Sequence, residues 1–175
     1  MKKMNGEERR QQLLTLLKNA NQPYTGAELA KKVSVSRQVI VNDMNLLKAM
    51  NQPILSTSQG YLYFRDTAPQ TFERKIVCHH TPEQAIDELY AIVDCGATVK
   101  DLSIEHAVYG EITVAMYLSS RLDVDVFIEK IKHTKAPLLS ELTDGTHVHT
   151  ISAKNPTSID NAVIKLRQLN ILVEN

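Results

Sequence analysis

No apolar run in this sequence approaches the roughly 20 residues that a membrane-crossing helix needs, so no membrane partner is expected. Cysteine is almost absent: Cys78 and Cys95 stand alone, and they form no CxxC pair. That excludes a disulfide framework and fits a reducing cytoplasm. The stretch MKKMNGEERR has no apolar segment behind its charges, so it does not read as a secretory signal. The chain also lacks net charge, with 20 Lys and Arg against 20 Asp and Glu. That zero conceals a split. Residues 1–65 hold ten basic and four acidic side chains, and residues 66–175 hold ten and sixteen. Such asymmetry suggests two modules with different partners, the basic one compatible with a polyanion. What the sequence does have is 43% hydrophobic residues, enough for a core.

The basic stretch reads as three helices and a hairpin. Leu13, Leu14, Leu16 and Leu17 form a stripe at helical spacing, and NANQPY breaks that helix. Thr25 is expected to cap a short second helix, GAELAKKV, because its oxygen can take a backbone N–H that the first turn leaves free. After the tight turn VSVS, Ser36 caps a third helix running to about Met50. Ile40, Met44 and Leu47 fall on one face of it and point inward. Arg37, Gln38, Val41, Asn42, Asn45 and Lys48 are left pointing outward. Arg, Gln and Asn are the side chains that bond base edges bidentately, and the first turn of a recognition helix is what enters the major groove. The alternative is a plain three-helix bundle with a solvated face. ILSTSQGYLYF alternates around a Ser-Gln-Gly turn, which is a hairpin pattern. With VSVSRQVIVNDMNLLK, this region resembles the bacterial winged helix-turn-helix found at the N-terminus of many metabolite-sensing repressors. The resemblance implies double-stranded operator DNA as partner, with Ser36, Arg37, Gln38, Val41, Asn42 and Lys48 as the DNA-binding residues. The winged helix is assigned to residues 1–65.

RDTAPQTF reads as a linker, polar and without periodicity. A second domain is assigned to residues 72–175. RKIVCHH is a strand with Ile76, Cys78 and His80 on one face and Val77 and His79 on the other. TPEQ has the spacing of a capping box and opens a helix that stops at Gly96. TVKDLSIEHAVYGE and ITVAMYLSS follow as strands joined at Gly110, then the helix LDVDVFIEKIKHT, the strand THVHTISA, a helix capped by Ser158, and a short final strand, ILVE. This order is an α/β arrangement with a mixed sheet and helices on one face, so the whole chain is expected to be α+β.

The run DGTHVHTIS carries two histidines one residue apart. In a strand His147 and His149 stand side by side, with Val148 and Thr150 on the other face. His80 precedes a capped helix, and Glu88 lies two turns into it on the same side as Thr81. Three imidazoles and a carboxylate suit Zn²⁺, Ni²⁺ or another late first-row ion. An HxH pair on a wet face and a solvated glutamate would also fit the spacing. Cys78 shares the His80 face and is either a ligand or a buried structural thiol.

CHHTPEQAIDELYAIVDCGATV, IEHAVYGEI, SSRLDVDVFIEKIK and LSELTDGTHVHTI are together similar to the consecutive motifs of the 3H domain. A winged helix followed by a 3H domain is the architecture of the niacin-responsive repressors, the NiaR family, and the resemblance runs from about residue 7 to 173. It implies a repressor of genes for niacin uptake and NAD synthesis, with nicotinic acid as effector and a homodimer on near-palindromic DNA. It also implies one divalent transition metal per chain, nickel or zinc, held by His80, Glu88, His147 and His149. His79 is the alternative to His80. His106 in IEHAVYGE matches the remaining family histidine, followed here by Ala107 where the family often has proline. It is either structural or effector-binding. Tyr109 and Arg121 are further effector-binding candidates, with Lys154 as another cation able to neutralise a carboxylate. His133 is expected to be solvated. The chain is not expected to be an enzyme; the alternative is a metal-dependent hydrolase fused to a DNA-binding module, with Asp144 the nearest base.

Overall fold

The computed structural model describes residues 5–64 and 71–174. Contacts divide the chain into two compact units, Met1–Thr67 and Ala68–Asn175. The linker read in RDTAPQTF falls mostly on residues 65–70, outside the described residues.

The first unit contains α1 (Gly6–Asn19), α2 (Gly26–Lys32), α3 (Arg37–Ala49) and the hairpin β1 (Ile54–Thr57) with β2 (Gly60–Tyr63). Each helix begins where its sequence offers a cap. Asn5 and Glu8 form a capping box on α1, Thr25 and Glu28 form one on α2, and Ser36 accepts from the Val39 N–H on α3. Leu13, Leu17, Leu29, Ile40 and Met44 are fully buried between the helices, and Ile54 of β1 joins their cluster. Burying a side chain of this size contributes about 1.5–3 kcal/mol. Gly60 has a positive φ of 140°, and a Cβ there would lie 2.3 Å from the Tyr24 carbonyl oxygen. Its missing side chain lets Tyr24 pair with Tyr61 and tie the α1–α2 connection to the hairpin. Asp43 lies on the buried side of α3. Its carboxylate accepts from Arg9 Nε at 2.6 Å and sits 3.6 Å from Arg10, which fastens α3 to α1.

The second unit runs β3 (Phe72–His79), a 3-10 turn (Pro82–Gln84), α4 (Ala85–Val93), β4 (Thr98–His106), β5 (Gly110–Leu118), α5 (Arg121–Thr134), a second 3-10 turn (Leu139–Thr143), β6 (Thr146–Ala153) and α6 (Pro156–Gln168). Its sheet has the order β3-β6-β4-β5. The α+β class holds. In one respect the expected mixed sheet is corrected: every hydrogen-bonded interface is antiparallel. β3 and β4 do run the same way, as do β5 and β6. Each crossover through a helix skips one position, and a strand of opposite direction fills it. The parallel neighbours therefore never meet.

α4 and α6 pack on one another and on the sheet. Ile76, Cys78, His147, His149 and Ile151 are buried beneath this layer, while Lys75, Val77 and His79 are exposed. Three local expectations change. α6 is capped by Asn155, which accepts from the Ser158 N–H, because Pro156 takes the first helical position. α4 begins at Ala85, after the 3-10 turn, and ends at Val93. The final strand shrinks to a single bridge between Leu172 and Cys78.

Candidate metal centre and nucleic-acid interface

β6 is a central strand, and that position decides the fate of the HxH pair. His147 stands opposite Cys78 of β3, and His149 is flanked by Ile76 of β3 and Leu102 of β4. Both imidazoles are therefore buried, at 1% and 0% exposure. His80 follows β3 and is 6% exposed, and Glu88, in the first turn of α4, is 2% exposed. The four side chains meet. Glu88 Oε2 lies 2.8 Å from His80 Nε2, 3.2 Å from His147 Nε2 and 3.4 Å from His149 Nε2.

The far side of each ring is also fixed. Nδ1 of His80 donates to the Thr81 carbonyl at 2.7 Å, that of His147 to the Gly145 carbonyl at 2.9 Å, and that of His149 to the Asp101 carbonyl at 2.7 Å. A carbonyl only accepts, so each Nδ1 carries the proton and each Nε2 is turned toward Glu88. Backbone anchoring of this kind sets the tautomer and aim of metal-binding imidazoles. Burial by itself would raise the Glu88 carboxyl. The imidazoles of His149, His147 and His80 outweigh it and hold the group well below the usual carboxylate range. Burial disfavours the charged forms of His80 and His149, yet contact with Glu88 raises both above the ordinary imidazole value. Three inward nitrogens and one carboxylate, all buried, form a donor set that could hold a late first-row divalent ion.

The remaining candidates separate. His79 is exposed on the opposite face, where Nδ1 lies 3.0 Å from Thr146 Oγ1, so His80 is the histidine of the cluster. His106 ends β4, and its Nδ1 accepts from the Val108 and Tyr109 N–H groups at 3.1 and 3.3 Å. Its ring stacks on Tyr109, with centroids 4.9 Å apart, so both residues make their contacts within the β4–β5 turn. Arg121 is not brought to the cluster. Its guanidinium makes two 2.7 Å contacts with Asp94 and lies over Tyr90, at the far end of α4, about 9 Å along the helix axis from Glu88. Lys154 lies beyond the end of β6, and His133 is exposed on α5. Asp144 is exposed with a left-handed φ of 50° and ends the 3-10 turn before β6.

Two cavities of about 310 and 360 Å³ flank the cluster. His147, Ser103 and Thr143 line the first, and His80, Ser140 and Gly145 the second; among the described residues no Lys or Arg lines either. The sequence reading missed Gly145 and the Asp101 carbonyl. The Asp-Gly pair ahead of THVH pointed to the glycine. Nothing local pointed to Asp101, which acts through its backbone from another strand.

In the first unit, Arg37, Gln38, Asn42 and Asn45 are exposed along α3, and Ser36 is exposed at its cap. Gln38 Nε2 donates to Asn42 Oδ1 at 3.4 Å, so neighbouring amides share one side of the helix. Val41 and Lys48 are half-buried, and Lys48 Nζ donates to Ser56 Oγ of β1 at 2.6 Å. Lys48 thus bridges the third helix and the hairpin instead of standing free. Lys18 and Lys32 lie over the rings of Tyr63 and Tyr24, each 5.2 Å from the centroid.

Comparison with known proteins finds two family domains and relatives that span nearly the whole chain. Residues 73–175 match the 3H domain and residues 9–62 match an HTH domain. The chain is 51% identical over 174 residues to the transcription repressor NadR of Bacillus subtilis (strain 168), covering 98% of this chain and 97% of that protein. It is 32% identical over 168 residues to the probable transcription repressor NiaR of Thermotoga maritima, covering 96% and 95% respectively.

Proposed function

The chain belongs to the NadR/NiaR-type family of transcription repressors, which joins an HTH domain to a 3H domain, and from that premise we propose that it is a metal-containing repressor responsive to nicotinic acid. It binds operator DNA as a homodimer and controls genes of niacin uptake and NAD biosynthesis. The observation that carries the metal is the buried carboxylate of Glu88, approached by three Nε2 atoms whose rings are anchored from behind. His80, Glu88, His147 and His149 would hold one divalent ion, nickel or zinc. Such an ion supplies a Lewis-acid position that a pyridine nitrogen or a carboxylate can occupy. The niacin response rests on the resemblance of the 3H motifs to those of niacin-responsive repressors. That both relatives are named repressors favours a regulator over a hydrolase.

Co-repression requires nicotinic acid to bind the DNA-competent state more tightly than the other state. A coupling of about 1–3 kcal/mol would tighten operator binding roughly tenfold, and linkage gives DNA the same effect on nicotinic acid. The test titrates operator DNA with metal-loaded protein in the presence and absence of nicotinic acid, with nicotinamide as comparison. Identical isotherms would reject the effector. Elemental analysis separately tests the metal: His147→Ala and His149→Ala should each lose most of it, and His133→Ala should lose none. Full metal content in both cluster variants would reject the ligand set.

A further inference from the structure

We propose that Cys78 is a further ligand of the metal centre, bound as a thiolate beside Glu88 and His147. The inference rests on the metal reading above and names a donor that it lacks.

Three observations place the sulfur. The alternation of β3 puts Cys78 on the same face as His80, two residues on. The register of β3 with β6 puts it directly opposite His147. Its Sγ, a carboxylate oxygen of Glu88 and a ring nitrogen of His147 all lie within 4.8 Å of one another, and all three residues are buried. Donors held about 2.0–2.3 Å from one ion lie at most about 4.6 Å apart, so a small side-chain movement brings these three onto a shared ion.

Charge balance gives an independent reason. Three neutral imidazoles and one carboxylate leave a divalent ion with one uncompensated positive charge. The four donor residues are all within a few per cent of full burial, where an unpaired charge is costly. A thiolate from Cys78, itself fully buried, cancels that charge. The balance of the step is simple: the S–H bond breaks, a sulfur–metal bond forms, and the proton passes to buffer. A sulfur donor also selects among ions, favouring zinc, nickel or cobalt over magnesium or manganese.

The test uses full-length protein stripped of metal by a chelator and loaded with Co²⁺ as a spectroscopic probe. Wild-type protein and Cys95→Ser should both show a near-ultraviolet sulfur-to-cobalt charge-transfer band. Cys78→Ser and Cys78→Ala should lose the band and bind cobalt roughly tenfold or more weakly; circular dichroism establishes that each variant is folded. Stoichiometric cobalt in the wild type without the band would overturn the Cys78 assignment and leave the His/Glu metal reading intact. Persistence of the band in both folded Cys78 variants would overturn it as well. Failure of the wild type to bind cobalt at all would overturn both readings together.

Discussion

Gly145 and His80 touch through their backbones. A Cβ on Gly145 would lie 2.3 Å from the His80 carbonyl oxygen, and the His80 N–H donates to the Gly145 carbonyl at 3.4 Å. That same carbonyl accepts from Nδ1 of His147 at 2.9 Å. One peptide group therefore fixes two imidazoles that are 67 positions apart in the chain.

Gly145→Ala should accordingly be costly although no cluster side chain is altered. The site has a positive φ of 91°, and the clash is with backbone, which cannot swing aside. The expected loss is more than about 1 kcal/mol of stability in the second unit, with weakened metal binding. Chemical denaturation and metal titration of the variant measure both. Wild-type values for the two quantities would mean that this close approach does not position the site.

The second unit should respond to pH in opposite ways with and without metal. Glu88 is held below the usual carboxylate range, so its stabilisation is full above about pH 4.5 and is lost as pH falls through the depressed value. Burial lowers His80 and His149, but Glu88 raises them further. Their stabilisation is full below about pH 6.5 and is lost as pH climbs through the raised values. Chelator-treated protein should therefore be most stable between these limits and weaken toward alkaline pH. Metal-loaded protein should strengthen over the same rise, because binding requires imidazoles free of the second proton. Melting curves at about pH 6 and 8, with chelator and with metal, decide the matter, and parallel slopes would contradict it.

Asp43→Ala should loosen the first unit. It strands Arg9 and Arg10, whose contacts with this carboxylate hold α1 against α3. Hydrogen bonds to charged groups contribute about 1.5–3 kcal/mol, and the loss should fall in that range. The second unit has its own core, so a biphasic denaturation curve should show only one transition moved. Equal shifts in both transitions would refute this division.

On DNA, Arg37→Ala and Gln38→Ala should each cost about 1–3 kcal/mol on the preferred sequence and relax the preference at one base position. Lys48→Ala should act differently. Its ammonium is tied to Ser56 of the hairpin, a position suited to phosphate, not to base edges. Removal should weaken all sequences alike and reduce the salt slope by about one. Anisotropy titrations on a selected and a scrambled duplex separate the two behaviours; equal losses on both duplexes for Arg37→Ala would remove it from base reading.

The sequence by itself determined what depends on neighbours a few positions away. Thr25 and Ser36 announce their helices because the oxygen that satisfies a free N–H lies within one turn of it. The stripe of Ile40, Met44 and Leu47 follows from helical period, and the shared face of His147 and His149 from the period of a strand. Spacing also offered His80 and Glu88 as companions to that pair, and the resemblance assigned all four to one metal. What the spacing left open was whether the HxH face is wet or buried, because that depends on strand order. The structure inserts β6 between β3 and β4, and this insertion buries both rings and carries them to the carboxylate of Glu88, which lies 59 positions before His147 in the chain. The same long-range packing spends Arg121 on Asp94, turns His106 into a brace for its own hairpin, and makes Asp43 a buried anchor on the otherwise apolar inward side of α3. Periodicity and capping are local and can be read along the chain. Partners drawn from distant strands and helices are fixed only when the whole sheet has closed its hydrogen bonds and the core beneath it has excluded water.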